Sequence, residues 1–186
     1  MVFKKGGRLR RNIRFLYDNN VLEIVDKFTY LGFVFSSGGS FSKTFDSLCG
    51  QSLKAIFKLR QYLSKFYNIT LQHRLEMFDK LVYPVLSYGS EIWGLQSNLK
   101  IERIHLNYCK VLLGVRRQTQ NNFIYGELGR PSLSVRHSVN VIRYWLKIVN
   151  TNAIKYVKLV YDIMFRELET YPNSRSWVYT VKKSIR

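Results

Sequence analysis

The apolar period of this chain changes from 2 to 3.6 across Ser36-Ser37-Gly38-Gly39-Ser40, and that switch constrains the fold more than any other feature. Alternating apolar residues make strands with one buried face; apolar residues three and four apart make amphipathic helices. A chain that runs through the first pattern and then stays in the second folds as α+β, with a small antiparallel β part ahead of a mostly α-helical bundle. Residues 1–39 read as β. Ile13-Arg14-Phe15-Leu16-Tyr17 and Val21-Leu22-Glu23-Ile24-Val25 flank Asp18-Asn19-Asn20, which tolerate positive φ, so a hairpin is predicted. Phe28 to Phe35, aromatic and β-branched, predicts a third strand that the Ser/Gly run ends.

The helices follow from Ser40 onward. Phe41, Phe45, Leu48, Ala55, Ile56, Leu59, Leu63 and Phe66 share one face of the first, with Ser40 or Ser42 as its cap and Gly50 a weak point inside it. Thr70 caps a second, which turns Leu71, Leu75, Phe78, Leu81 and Val82 inward until Pro84 kinks or ends it. A third runs from about Leu99 to Leu113 and stops at Gly114. It carries two apolar stripes, Ile101, Ile104, Tyr108, Val111 and Leu112 on one side and Leu99, Leu106 and Leu113 on another, so it packs between neighbours. A fourth, about Leu133 to Asn150, is expected to bury Val135, Val139, Ile142, Trp145, Leu146 and Val149. A fifth, about Ala153 to Glu169, buries Ile154, Val157, Tyr161, Met164, Phe165 and Leu168 and ends at Tyr171-Pro172-Asn173. Trp177, Val181 and Ile185 mark a short last helix.

Charge is the second constraint. Lys+Arg is 30 and Asp+Glu is 12, a net charge of +18 over 186 residues that are 46% hydrophobic. There is enough apolar material for a core, and the cationic excess calls for a polyanionic partner, nucleic acid first. No apolar run approaches the ~18 residues that span a bilayer, so no membrane partner is expected. Lys4, Lys5, Arg8, Arg10 and Arg11 leave no apolar core for a signal peptide. Cys49 and Cys109 both fall in apolar helical stretches and read as buried reduced thiols. The expected compartment is the nucleus or cytoplasm, and secretion is not expected.

The basic residues are arranged in stripes. Lys54, Lys58, Gln61 and Lys65 lie opposite the apolar face of the first helix, and Arg136, Asn140, Arg143 and Lys147 opposite that of the fourth. One such stripe is ordinarily a solvated face. Two, on a chain with few acids to offset them, point to phosphate contact. The cluster Lys4, Lys5, Arg8, Arg10, Arg11 and Arg14 adds a loop able to track a backbone, and an exposed aromatic such as Phe57 could stack on bases. Two-metal catalysis needs two close carboxylates to hold two Mg²⁺ ions about 4 Å apart. The nearest pairs, Glu23 with Asp26 and Glu76 with Asp79, sit among basic residues on what reads as solvated surface. His105 and Cys109 have ligand spacing on one helix, but zinc needs two more ligands, and a buried thiol beside a half-buried histidine is the simpler reading. No metal site and no catalytic residue is predicted.

Three segments stand apart from these patterns: Lys27-Phe28-Thr29-Tyr30-Leu31-Gly32; Leu81-Val82-Tyr83-Pro84-Val85-Leu86-Ser87-Tyr88-Gly89-Ser90-Glu91-Ile92-Trp93-Gly94; and Ile124-Tyr125-Gly126-Glu127-Leu128-Gly129-Arg130-Pro131, with Tyr144-Trp145 beyond it. In their order and spacing they resemble the C-terminal part of reverse transcriptases from non-LTR (LINE-type, Jockey/RTE-like) retrotransposons. The resemblance implies a division into a palm-end β segment over 1–39, a helical thumb and connector over 40–150 and a helical extension over 151–186. Met1-Val2-Phe3 looks like the strand after that family's catalytic hairpin, Tyr30, Leu31 and Gly32 like its primer-grip strand, and Leu81 to Gly94 like its thumb signature.

By resemblance the chain grips an RNA/DNA template–primer duplex. The aspartates that hold Mg²⁺ in the parent enzyme lie upstream of this region, so the chain itself is expected to be no enzyme and to carry no cofactor. Fingers, endonuclease and Cys/His knuckle are absent too, and Met1 falls where the family has an internal residue, which implies a truncated element copy or a gene-model fragment. Oligomeric state is left open. The alternative is a small basic helical scaffold or nucleic-acid-associated protein without enzymatic activity.

Overall fold

Two pairs of consecutive positive-φ residues build the β part. The computed structural model describes residues 1–2, 13–96, 98–151, 156–171 and 176–185. Asp18 (φ 47°) and Asn19 (φ 60°) join β1 (Phe15–Tyr17) to antiparallel β2 (Asn20–Leu22), with Phe15 opposite Leu22. This is the hairpin that its turn residues predict. The single strand expected over Phe28–Phe35 is instead a second hairpin, β3 (Lys27–Tyr30) and β4 (Phe33–Ser36), with Tyr30 opposite Phe33. Its turn is Leu31 (φ 47°) and Gly32 (φ 81°). Gly32 takes the left-handed conformation freely, whereas Leu31 holds it at a cost of about 1 kcal/mol. Leucine is not a turn-former, which is why the run reads as unbroken.

Among the described residues nine helices follow, and the fold is mixed α+β. α1 (Ser42–Leu63) buries Phe45, Leu48, Ile56, Leu59 and Leu63. Its cap position is Phe41, and Ser40 Oγ accepts the Ser42 N–H at 3.3 Å. The helix stops at Ser64, so Phe66, expected inside, is half exposed. Thr70 caps α2 (Leu71–Leu81) by accepting the His73 N–H. Leu75, Phe78 and Val82 are buried, but Leu71 and Leu81 face outward. Pro84 sits in the short α3 (Tyr83–Leu86), and the left-handed Gly89 leads into α4 (Ser90–Trp93).

α5 (Leu99–Leu112) is capped by Asn98 and followed by Gly114 at φ 65°, as its sequence predicts. It does pack between neighbours, although Leu99 and Val111 of its two expected stripes lie outward. Ile101, Ile104 and Tyr108 join the main core with α1, α2, Trp93 and Leu133, while Leu106 and Cys109 close on Ile124 of α6 (Asn121–Leu128). α7 (Leu133–Val149) departs from expectation. Its buried stripe is Leu133, His137, Val141 and Ile148; Val135, Val139, Leu146 and Val149 lie outward. α8 (Tyr156–Thr170) and α9 (Trp177–Ile185) share a small core with it through Ile148, Tyr161 and Val178. Val157, expected inside, is about half exposed, and Ile154 lies outside the described residues. No described helix is long and apolar enough to cross a membrane.

Candidate nucleic-acid interface

The stripe on α1 stands free. Lys54 and Lys58 are exposed on the side of the helix away from Leu48, Ile56 and Leu59, with Lys43 and Gln61 on the same side and Lys65 just beyond the helix end. Phe57 projects among them, 63% exposed. Asp46, the acid nearest this face, is paired with Lys100 at 2.5 Å, and that partner holds its carboxyl below the ordinary value. The result is a ridge of exposed ammonium groups with an aromatic inside it, a surface suited to phosphate contact without sequence readout.

The stripe on α7 does not exist as one surface. Arg136 turns inward: its Nη1 lies 2.8 Å from Asp79 Oδ1, and its guanidinium stacks 3.5 Å above the Tyr83 ring. Asn140 donates to Ser90 Oγ at 2.9 Å and to the Tyr83 hydroxyl at 3.4 Å. Arg143 and Lys147 remain exposed. The helix is rotated because the polar His137 is the residue that belongs inside. Its ring meets the Trp93 ring edge-on at 4.8 Å, and its Nε2 is 3.2 Å from Ser87 Oγ. Burial pushes the His137 imidazole down to about 4, so it is neutral at pH 7.

The first two of the segments singled out in the sequence meet in space. Tyr88 Oη donates to the Leu31 carbonyl at 2.7 Å, across 57 residues, and ties the β3–β4 turn to the α3–α4 corner. Gly89 (φ 69°) lies where a Cβ would come 2.9 Å from the Phe33 ring. Gly94 has no special φ; a Cβ there would run into the backbone of Ser90 and come 2.7 Å from the His137 carbonyl oxygen, so glycine lets α4 close on α7. Trp93, fully buried, donates to the Tyr88 carbonyl and packs edge-on against Phe45. Between the hairpin and α3–α4 is an open cleft of about 750 Å³, walled by Tyr30, Phe33, Phe35, Pro84, Tyr88 and Ile92. Tyr30 and Leu31 are well exposed at its rim. Gly32 occupies the turn, with nothing within 4 Å of the position a Cβ would take. Its identity is thus explained by φ, and a close backbone approach is not needed to account for it.

Two carboxylates lock the third segment. Glu102 of α5 accepts the Tyr125 hydroxyl, the backbone N–H groups of Leu133 and Ser134 at 3.2 and 3.1 Å, and a bond from His105 Nδ1 at 3.4 Å. It acts as a cap supplied from outside α7. Burial alone would raise its carboxyl, but the bonds from His105, Tyr125, Leu133 and Ser134 outweigh that and hold it at about 2. Asp79 of α2 binds both Arg130 and Arg136. Burial opposes its charge, and the two guanidinium groups still keep it below the ordinary value. Apart from His105, the partners of Glu102 and Asp79 lie 23 or more residues away, so neither anchoring role follows from sequence spacing.

These donors do not fit a Mg²⁺ pair. Asp79 is already neutralised by two arginines, and Glu76 accepts from Gln72 at 3.1 Å. Among the described residues no three His, Cys, Asp or Glu side chains gather. His105, expected half-buried, is fully buried, and burial pushes the Cys109 thiol up to about 11. Both cysteines are unpaired. Of the N-terminal basic cluster, Lys4, Lys5, Arg8, Arg10 and Arg11 lie outside the described residues, as does Phe3. Compared with protein-family models, curated proteins and solved structures, the chain matches none of them.

Proposed function

We propose that this chain is the palm-end and thumb region of a non-LTR retrotransposon reverse transcriptase. It grips a template–primer duplex through phosphate contacts and performs no catalysis itself. The observation that carries the reading is the joining of the first two resemblance-bearing segments, with the third anchored to α5 beside them. Tyr88 holds the Leu31 turn, Gly89 and Gly94 are glycine because Phe33 and α7 come too close for a side chain, and Glu102 fastens Tyr125 to the start of α7.

The gripping surface is α1, with Lys54, Lys58 and Lys65, and the β3–β4 turn at Tyr30, Leu31 and Gly32 lies at the rim of the neighbouring cleft. Arg143 and Lys147 supply a second, smaller cationic patch, and Arg136 holds the scaffold. The paired carboxylates that would bring Mg²⁺ to a triphosphate are missing from the sequence, so chemistry belongs to a part of the enzyme other than this one. Two measurements test this. An RNA/DNA duplex should bind with an affinity that falls steeply with salt. Primer extension on an RNA template with Mg²⁺ or Mn²⁺ should give no incorporation above a no-protein control. Incorporation that survives repurification, or duplex affinity indifferent to salt, overturns the reading.

A further inference from the structure

The end of α1 and the start of α2 enclose a second cleft, of about 410 Å³, that the duplex-gripping surface does not use. Tyr62 and Phe66 form one wall, with ring centroids 5.0 Å apart and both rings about half exposed. Ile69 and Met77 add apolar lining, and Asn68, His73, Glu76 and Lys80 the polar part. Neither ring belongs to the buried core: Tyr62 is on the exposed side of the last turn of α1, and Phe66 lies past the helix end at Ser64. Flat apolar faces of this kind bind other flat apolar faces.

The charges around the cleft narrow the occupant. Lys58 is exposed one turn before Tyr62 on α1, Lys65 is exposed just past the helix end, and Lys80 lines the cleft itself. A ligand that is aromatic in the cleft and anionic outside it, toward the lysines, is a nucleotide. The carboxylate of Glu76, with one oxygen already accepting from Gln72, is a hydrogen-bond acceptor for an exocyclic amino group.

We propose that this cleft takes one unpaired nucleobase from a single strand whose phosphates run along Lys58 and Lys65. The occupant prefers a base with an exocyclic amino group over uracil. The inference rests on the nucleic-acid reading above and extends it: Lys58 and Lys65 take phosphates of either form, and only a single strand offers an unpaired base that the cleft holds by stacking. A double-stranded helix keeps its bases stacked on one another and cannot fill the site.

The test is fluorescence anisotropy with end-labelled oligonucleotides: a single-stranded cytidine-rich RNA, its DNA counterpart, a uridine-only RNA and an RNA/DNA duplex of equal length. Tyr62→Leu with Phe66→Leu keeps apolar bulk but removes the flat faces. Stacking predicts about a tenfold weaker binding of the cytidine strands and no change for the duplex. Tyr62→Phe should restore wild-type binding, and Glu76→Gln should narrow the gap between cytidine and uridine strands. Thermal midpoints of all variants report folding.

Equal losses for single strand and duplex, or no loss for either, would overturn the inference while leaving the duplex reading intact. Absence of binding to every oligonucleotide would sink both. Two further arms discriminate other occupants. If free cytidine monophosphate competes as well as the strand does, the site is a nucleotide pocket and the strand proposal fails. If wild type sediments as a dimer and the leucine variant as a monomer, the rings cover a second copy and the proposal fails.

Discussion

α1 and α7 carry similar basic stripes in sequence, yet one presents its cations to solvent and the other spends its first on the scaffold. The difference lies in what each helix has to bury. α1 has one unambiguous apolar face, and every polar residue opposite it is left outside. α7 has apolar residues around most of its circumference, so hydrophobicity alone does not choose its orientation. The polar partners choose it. His137 fits under Trp93, Asn140 reaches Ser90, Arg136 reaches Asp79, and Gly94 lets the α4 backbone in. A basic stripe predicts a solvated face only where the opposite face is the helix's sole claim on the core.

On this account α7 is a strut, and variants around it should register as lost stability. The largest effect is expected at the α4–α7 contact. Gly94→Val pushes a branched side chain into the Ser90 and His137 backbone and should cost about 3 kcal/mol or more in denaturant unfolding. A loss under 1 kcal/mol would mean that the contact is loose and the comparison between helices weak.

Next is the external cap. Glu102→Ala leaves the Leu133 and Ser134 N–H groups without their carboxylate and should cost about 2 kcal/mol near pH 7. Because the Glu102 carboxyl is held at about 2, below its unfolded value, its contribution is present above that unfolded value and is lost as pH falls toward 2.

His137 acts at milder pH. Its folded value of about 4 lies below that of the unfolded chain, so the unfolded state takes up the proton first as pH falls. Stability should drop by about 2 kcal/mol between pH 6.5 and 4, and His137→Gln should flatten that slope. An equal slope in the variant would show that other groups carry it.

A direct contrast between the helices comes from single arginine and lysine replacements. Arg136→Gln should cost about 1–2 kcal/mol by leaving Asp79 short of one partner, and it should leave the salt dependence of duplex binding unchanged. Lys58→Gln should do the reverse, with stability within about 0.5 kcal/mol and a shallower salt dependence.

Much of the fold was legible. The β-to-helix switch, the Asp18-Asn19 turn, the Thr70 cap, the Gly114 stop and the two-sided packing of α5 all follow from local rules, because each is fixed by residues within a few positions. The second hairpin was hidden because Leu31 sits in a left-handed turn with only Gly32 to signal it. The face of α7, the Asp79 anchor and the Glu102 cap were hidden because they depend on partners far along the chain. The α1 lysines could be read because exposure there follows from a single periodic face; Tyr62 and Phe66 as paired exposed rings could not, since their exposure depends on where α1 ends.

The central claim is that α1 grips a nucleic-acid backbone. Its most direct test is the affinity of an RNA/DNA duplex measured between about 50 and 200 mM salt, for wild type and for the combined Lys54→Gln, Lys58→Gln and Lys65→Gln variant. If each lysine touches one phosphate, the log–log slope should become shallower by about two to three, with the thermal midpoint unchanged. A slope identical to wild type would remove α1 from the interface and contradict the account.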